Sequence, residues 1–204
     1  MKILGIGKNY VNDLKDIEAV KNGKQVIFSK PMSSLVENNE DVPFPSITEN
    51  LAYEVELVIK IGKKGKDISE ADATSYISEI AVGIDYTAKD VLADYRAIKA
   101  PWDLAKGFDG AAPISKFQPI ANHKELENIN FDLKINGEQK QIGNTALMIY
   151  NFQEIIAYIS KFMTLEPGDI IFTGTPAIGA GQTFKGDHLQ ASIEGNLLLD
   201  FKML

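Results

Sequence analysis

The stretch Tyr53–Gly62, YEVELVIKIG, decides how this chain is read. Its apolar members, Tyr53, Val55, Leu57, Val58, Ile59 and Ile61, are mostly aromatic or β-branched, the composition of a strand entering a core. Glu54 and Glu56 interrupt the run. Residues two apart on a strand point to one face, so the two carboxylates stand side by side, about 7 Å apart at their Cα atoms. An isolated E-x-E more often marks a solvated face. Here Val58 continues the same face and is apolar, so the strand is read as buried beyond Glu56. Like charges that close repel and are costly to bury unpaired. A divalent cation turns that repulsion into coordination, because Mg²⁺ and Mn²⁺ prefer carboxylate oxygens. Such a site usually needs a third oxygen. Asp85, closing the apolar run AVGID, is the candidate; its competing reading is an acceptor at a helix N-terminus.

Composition narrows the class. With 204 residues, 45% hydrophobic and 24% charged, the chain suits one globular domain of ordinary size. It has no cysteine, which removes disulfides, thiol nucleophiles and thiolate metal sites. A metal must then be held by oxygen or by the two histidines, His123 and His188, and both lie in polar stretches read as surface. A net charge of −7 argues against nucleic acid or an anionic membrane as partner. No apolar run approaches the length of a membrane-spanning helix, and the first residues lack a signal-peptide pattern. A cytosolic location is therefore expected. Arg96 is the single arginine, so bidentate recognition of a substrate carboxylate rests on it or passes to lysine, hydroxyl or metal.

Outward from the central stretch, KILGIG and QVIFSKP read as strands, with NYVNDLKDIEAV helical between them and Asn12 as its cap. ENNEDVPFPSITEN reads as loop, and SEADATSYI as a helix opened by Ser69. Thr87 and Asp90 have capping-box spacing before VLADYRAI. FDLKINGEQKQIG alternates around Asn136-Gly137, a strong hairpin signal. NFQEIIAYISKFM reads as an amphipathic helix capped by Asn151 and Glu154, with Phe152, Ile155, Ile156, Ile159 and Phe162 as its stripe. GDIIFTG is a strand and DHLQASIEGNLLLDF a closing hairpin. Strands dominate, which predicts an α+β, β-rich fold with mixed barrel-like or sandwich sheets rather than a doubly wound one.

Two further stretches carry candidate chemistry. KGFDGAAPIS places Lys106 in a Gly-rich loop, where a lysine can hold an oxyanion or water, although most lone lysines are solvated. GDIIFTGTPAIGAG runs a strand into a Gly-rich turn but lacks both G-x-x-x-x-G-K-[ST] and G-x-G-x-x-G. What remains is a turn with exposed backbone N–H groups and the hydroxyls of Thr173 and Thr175, suited to a small carboxylate.

Taken in order, GIGKNY, FSKP, YEVELVIKIG, VGIDYTAKD, PWDLAKGFDGAAPIS and LEPGDIIFTGTPAIG resemble the fumarylacetoacetate hydrolase family, nearest its short acylpyruvate hydrolase and oxaloacetate decarboxylase members. The resemblance covers nearly the whole chain. It implies one catalytic domain over 1–204, with a short lid segment within 1–50, folded as the family's mixed-sheet β-roll and assembled as a homodimer. It implies Glu54, Glu56 and Asp85 as ligands of Mg²⁺ or Mn²⁺ and Lys106 beside that metal. It also implies a Gly174-Thr175 turn that binds the substrate carboxylate, and Lys8, Asn9 and Tyr10 lining the pocket.

In such enzymes a small 2-oxo acid chelates the cation, which stabilises the enolate formed when the C3–C4 bond breaks or a C3 proton leaves. Acylpyruvate hydrolases activate water with a His and a Glu in the lid; those positions here are Asp13 and Asp16. The family's Arg in T-A-R-D is Lys89, and a frequent glutamine after it is Leu92. A solvated aspartate, with pKa about 4, is a poor base at neutral pH. The expectation is carbon–carbon cleavage of an acylpyruvate- or oxaloacetate-type acid. Keto–enol tautomerisation, or binding of a dicarboxylate without turnover, are the alternatives.

Overall fold

In the computed structural model, which describes residues 1–123 and 125–204, the decisive stretch is two strands that meet at Glu54. Leu51–Tyr53 joins a three-stranded sheet between Gly181–Gln182 and Thr87–Ala88. Val55–Ile61 joins a six-stranded sheet. The bend has partners of its own: the Val55 N–H donates to Gln141 Oε1 at 2.8 Å, and the Asp85 N–H to the Glu54 carbonyl at 2.8 Å. A strand that changes sheets at a bend is how packed sheets turn a corner.

The six-stranded sheet runs in the order Ile27–Lys30, Ile3–Ile6, Ile170–Phe172, Val55–Ile61, Ile77–Ile84, Gln118–Pro119. Ile3–Ile6 and Ile170–Phe172 pair in parallel, and the other neighbours are antiparallel. Val55–Ile61 lies inside this sheet and is buried at every position except Lys60, the expected pattern for a strand covered on both sides. Val55, Leu57, Ile59 and Ile61 enter the main core, while Val58 packs with Ile3, Ala81, Ile114, Ile170 and Phe172 in a smaller cluster. Glu54 and Glu56 therefore end a face whose continuation is dry.

A four-stranded antiparallel sheet, Glu138–Asn144, Asn130–Ile135, His188–Ile193 and Asn196–Lys202, covers the main core with Phe131, Leu133, Leu189, Ala191, Leu199 and Phe201. Its first hairpin turns at Asn136 and Gly137, both left-handed at φ 54° and 81°, the conformation that favours this residue pair. The helix Phe152–Ser160 carries the expected capping box, with Asn151 and Glu154 each accepting the other's backbone N–H. These mixed sheets and few helices form the expected β-rich α+β fold. No helix among the described residues is long and apolar enough to cross a membrane.

Four local expectations are corrected. The segment after Tyr10 forms only a 3₁₀ turn, Leu14–Asp16, and one helical turn, Ile17–Val20; its cap is Asp13, not Asn12, while Tyr10 bridges to Met148. Thr87 and Asp90 form no capping box, because Thr87 is a strand residue and the helix Lys89–Ala97 begins after it without a side-chain cap. Phe162 lies beyond the helix Phe152–Ser160 and is exposed, so it leaves the buried stripe. His188 is half-buried rather than on the surface, its Nε2 2.6 Å from Asp200 Oδ1, and His123 is half-buried too.

Candidate active site

Register builds the acidic cluster. Val55 pairs with Ile84 and Glu56 with Gly83, so Asp85, one step beyond Ile84, lies across from Glu54. Residues opposed across an antiparallel pair share a face, which collects Glu54, Glu56 and Asp85 on one side. One oxygen from each lies within 4.8 Å of the others. Glu56 and Asp85 are 2% and 1% exposed, and Glu54 is 9% exposed.

Three lysines pair with two of these acids, Glu54 and Asp85, while Glu56 accepts from a backbone N–H. Lys89 Nζ is 2.6 Å from Glu54 Oε1, and Lys106 Nζ is 2.7 Å from Glu54 Oε2 while also bonding to Asp85. Lys30 Nζ is 2.7 Å from Asp85 Oδ1. Lys106 closes the short helix Asp103–Lys106 rather than lying in a loop, and it is buried. Lys30, absent from the sequence-derived site, lies fully inside and donates to the carbonyls of Tyr86 (3.2 Å), Ala111 (3.0 Å) and Lys106. It thereby ties Asp85 to the backbone that carries Lys106. Its only local signal was a lysine alternating inward on the strand Ile27–Lys30.

The electrostatics follow from burial and partners. Burial works against Glu54 ionisation, yet Lys106 and Lys89 outweigh it and hold the carboxyl at about 2. Burial raises the Glu56 carboxyl well above the usual range, and the charges of Asp85 and Glu54 add to this. Burial opposes the Lys106 charge, but Asp85 and Glu54 prevail and keep its ammonium above the ordinary lysine range. Burial pulls Lys30 down, with Asp85 the main opposing charge.

Oxygen-only ligands of this kind fit a hard divalent ion. The Lys106 ammonium, bridging Glu54 and Asp85, already occupies the place of a cation between them. Glu54, Glu56 and Asp85 could together hold such an ion.

A cavity of about 540 Å³ opens onto this cluster. Lys8, Tyr10, Lys89, Leu92, Thr175 and Trp102 are among the residues that line it. Asn9 does not line it. Its side-chain amide donates to the Tyr150 and Thr173 carbonyls at 3.0 and 2.8 Å and accepts from the Tyr150 N–H, so it braces the scaffold. The Gly174 N–H, expected to face a substrate carboxylate, donates instead to Glu56 Oε2 at 2.7 Å. At φ +100°, with a Cβ position 2.7 Å from Asn9 Cβ, residue 174 has room only for glycine. The Thr173 hydroxyl donates to the Leu57 carbonyl, and Thr175 accepts from Gln141 at 3.0 Å. The same Gln141 holds the bend at Val55, an inward role that the polar strand EQKQIGN gave no sign of.

The two lid acids stand apart. Asp13 is exposed, caps its 3₁₀ turn through the Lys15 N–H and pairs with Lys15 Nζ at 2.8 Å, which holds its carboxyl below the usual range. Neither Asp13 nor Asp16 lines the cavity.

Asp90 fastens the cavity helix Lys89–Ala97 to the preceding loop. Its carboxylate accepts from the Thr48 hydroxyl and from the N–H groups of Glu49 and Val91, both at 2.9 Å. The Thr48 bond above all holds its carboxyl below the ordinary 3.8. A carboxylate depressed on folding stabilises the fold above its unfolded pKa and loses that contribution as pH falls. The melting temperature is thus expected to drop below pH 3.8 and the Asp90→Asn variant to show a shallower drop. Identical acid profiles would remove Asp90 from the account.

Comparison with known proteins places the chain. Residues 2–200 match the model of the fumarylacetoacetate (FAA) hydrolase C-terminal family. The chain is 38% identical over 201 residues to the mitochondrial oxaloacetate tautomerase FAHD1 of Bos taurus, covering 98% of this chain and 90% of that protein. It is 40% identical over 194 residues to its Arabidopsis thaliana counterpart, covering 95% and 86%. Among solved structures, a fumarylpyruvate hydrolase from Pseudomonas aeruginosa in complex with Mn²⁺ and pyruvate superposes with a TM-score of 0.88 at 30% identity, covering 100% of this chain and 90% of that one. A 5-carboxymethyl-2-hydroxymuconate delta-isomerase from Mycobacterium smegmatis superposes with a TM-score of 0.89 at 29% identity, covering 100% and 78%.

Proposed function

Because the chain belongs to the fumarylacetoacetate hydrolase family, we propose that it is a divalent-cation-dependent, cytosolic keto–enol tautomerase of a small 2-oxo acid of the oxaloacetate type. One observation carries this reading. Among the described residues lining the cavity, the only acids are Glu54, Glu56 and Asp85, and there is no histidine.

When bound on those carboxylates, Mg²⁺ or Mn²⁺ supplies Lewis-acid polarisation of the substrate's 2-oxo group. The rest falls to the chain. Lys30, Lys89 and Lys106 already balance the three acids, so a divalent charge leaves the site positive and complementary to a dianionic acid. Lys89 and Thr175 orient the substrate carboxylate, with Lys8 at the mouth and Tyr10 on the wall. Lys106 Nζ shuttles the proton: in the enol-to-keto direction its ammonium gives a proton to C3 and regains one from the C2 hydroxyl, and the reverse direction runs the same two transfers backwards. Leu92, Phe28 and Trp102 keep bulk water from the reacting atoms.

Hydrolysis of an acylpyruvate needs a base that activates water at C4, and Asp13 and Asp16 lie away from the cavity. Decarboxylation is the second reading, favoured by the same observation. Departure of CO₂ from a C4 carboxylate needs no base, and Lys106 then protonates C3 of the product. A homodimer belongs to this reading, as the family resemblance implies.

The test incubates the protein with Mg²⁺ or Mn²⁺, and separately with EDTA, against oxaloacetate, acetylpyruvate and fumarylpyruvate, following enol absorbance and pyruvate together. The expected result is cation-dependent enol loss from oxaloacetate without pyruvate. Pyruvate from oxaloacetate alone replaces tautomerisation with decarboxylation. Pyruvate from either acylpyruvate overturns both, and silence on every substrate by a metal-loaded protein ends the reading.

A further inference from the structure

One wall of the cavity is a ladder of charged and aromatic groups. Lys106 Nζ lies 4.9 Å from the centroid of the Phe28 ring. That ring is 6.3 Å from the Trp102 ring, tilted by 48°. The Arg96 guanidinium carbon lies 4.9 Å from the Trp102 centroid. All four residues line the cavity. The ladder thus begins at an ammonium bonded to the acidic cluster and ends at a guanidinium at the mouth.

The two ends differ in what satisfies them. Lys106 is buried and paired with Glu54 and Asp85. Arg96 is exposed and forms no ion pair with any described acidic residue. It is also the single arginine of the chain. A guanidinium stacked on an aromatic face keeps its plane while its N–H fork stays free for a carboxylate. Lys89, Leu92 and Arg96 follow one another at helical spacing, so one helix presents an inner cation, an apolar waist and an outer cation to the cavity. Lys89 and Arg96 are about 10 Å apart along the axis, at about 1.5 Å per residue.

We propose that Arg96, positioned by Trp102, receives the distal carboxylate of a 2-oxo diacid whose carbon chain lies along the Phe28–Trp102 wall, making Arg96 the residue that selects diacids over monoacids. This rests on the proposed function, since the 2-oxo acid head must sit at Glu54, Glu56 and Asp85, and it adds where the other end goes.

The test is equilibrium binding to the Mg²⁺-loaded protein of matched probes: 2-oxoglutarate against 2-oxopentanoate, 2-oxoadipate against 2-oxohexanoate, and oxalate as a head-only probe. For at least one pair, the diacid is expected to bind about tenfold or more tightly than the monoacid. Arg96→Met, which keeps the stem on Trp102, is expected to bring that ratio close to one, with Arg96→Lys intermediate. A diacid preference unchanged in Arg96→Met at every chain length, or no preference in the parent protein, overturns the proposal while oxalate binding leaves the metal-centred reading standing. Absence of Mg²⁺-dependent binding by oxalate and by every 2-oxo acid overturns that reading and the proposal with it. Arg96 is exposed, so its replacement leaves the fold intact, and an unchanged melting temperature verifies this.

Discussion

Asp85→Asn is expected to lose cation binding and turnover together. Asp85 sits where the acidic cluster meets both buried lysines: one carboxylate oxygen pairs with Lys30 at 2.7 Å and the other with Lys106. Replacing a group that merely orients a metal ligand already lowers affinity by about 10- to 100-fold, so loss of a ligand should exceed about 100-fold. A polarising cation contributes several kcal/mol of charge stabilisation, so kcat/KM should fall by a factor on the order of 1,000, at about 1.4 kcal/mol per factor of ten. Calorimetric titration with Mn²⁺ and a progress curve on oxaloacetate measure the two effects. Parental cation affinity with lost activity would remove Asp85 from the ligand set and leave it only an electrostatic partner of Lys106. Stripping the parent protein with EDTA and adding back Mg²⁺ or Mn²⁺ gives the matching control, with activity lost and restored.

Lys30→Met should be the most destabilising single change in the site. Lys30 is 4% exposed, pairs with Asp85 and bonds to three carbonyls. Removing it leaves Asp85 with Lys106 as its sole counter-charge and three buried carbonyls without their donor, and breaking a buried pair in this way costs about 3–5 kcal/mol. Urea unfolding of the cation-free protein measures it. The double variant Lys30→Met/Asp85→Asn is expected to be less damaged than the sum of the singles, because each single already loses the Lys30–Asp85 contact. A loss below about 1 kcal/mol in Lys30→Met, or strict additivity in the double variant, would show that the pair does not act as a unit. Burial opposes the Lys30 charge. The residue is therefore a costly brace, and its value lies in holding Asp85 and the Lys106 backbone at fixed separation.

Much of the architecture was legible because it rests on short-range rules. Asn136-Gly137 could be read as a hairpin since its left-handed angles belong to those two residue types. Asn151 and Glu154 could be read as a cap since the box spans only four residues. The local rules failed where a tertiary contact competed. Thr87 and Asp90 have the right spacing for a box, but the Thr87 hydroxyl donates to Glu54 and Asp90 is bound by Thr48. The Gly174 N–H looked free in sequence and is taken by Glu56, 118 positions away. Lys106, read as lying in a Gly-rich loop, instead closes a short helix that carries its ammonium onto two carboxylates.

The sequence by itself determined what the site is made of. The absence of cysteine, and Glu54 and Glu56 on one strand face that continues as Val58, pointed to carboxylate oxygens that could hold a hard cation. The tertiary structure decided how those residues are used. The bend at Glu54, set by Gln141 from another sheet, and the register that lays Asp85 across from Glu54 bring three oxygens within 4.8 Å. Lys30 from beneath, and the Phe28–Trp102 wall leading out to Arg96, arrive from different elements. Backbone periodicity carries information only two to four residues along a chain. Which charge faces which across a core is settled by sheet register and burial, and no local pattern records either.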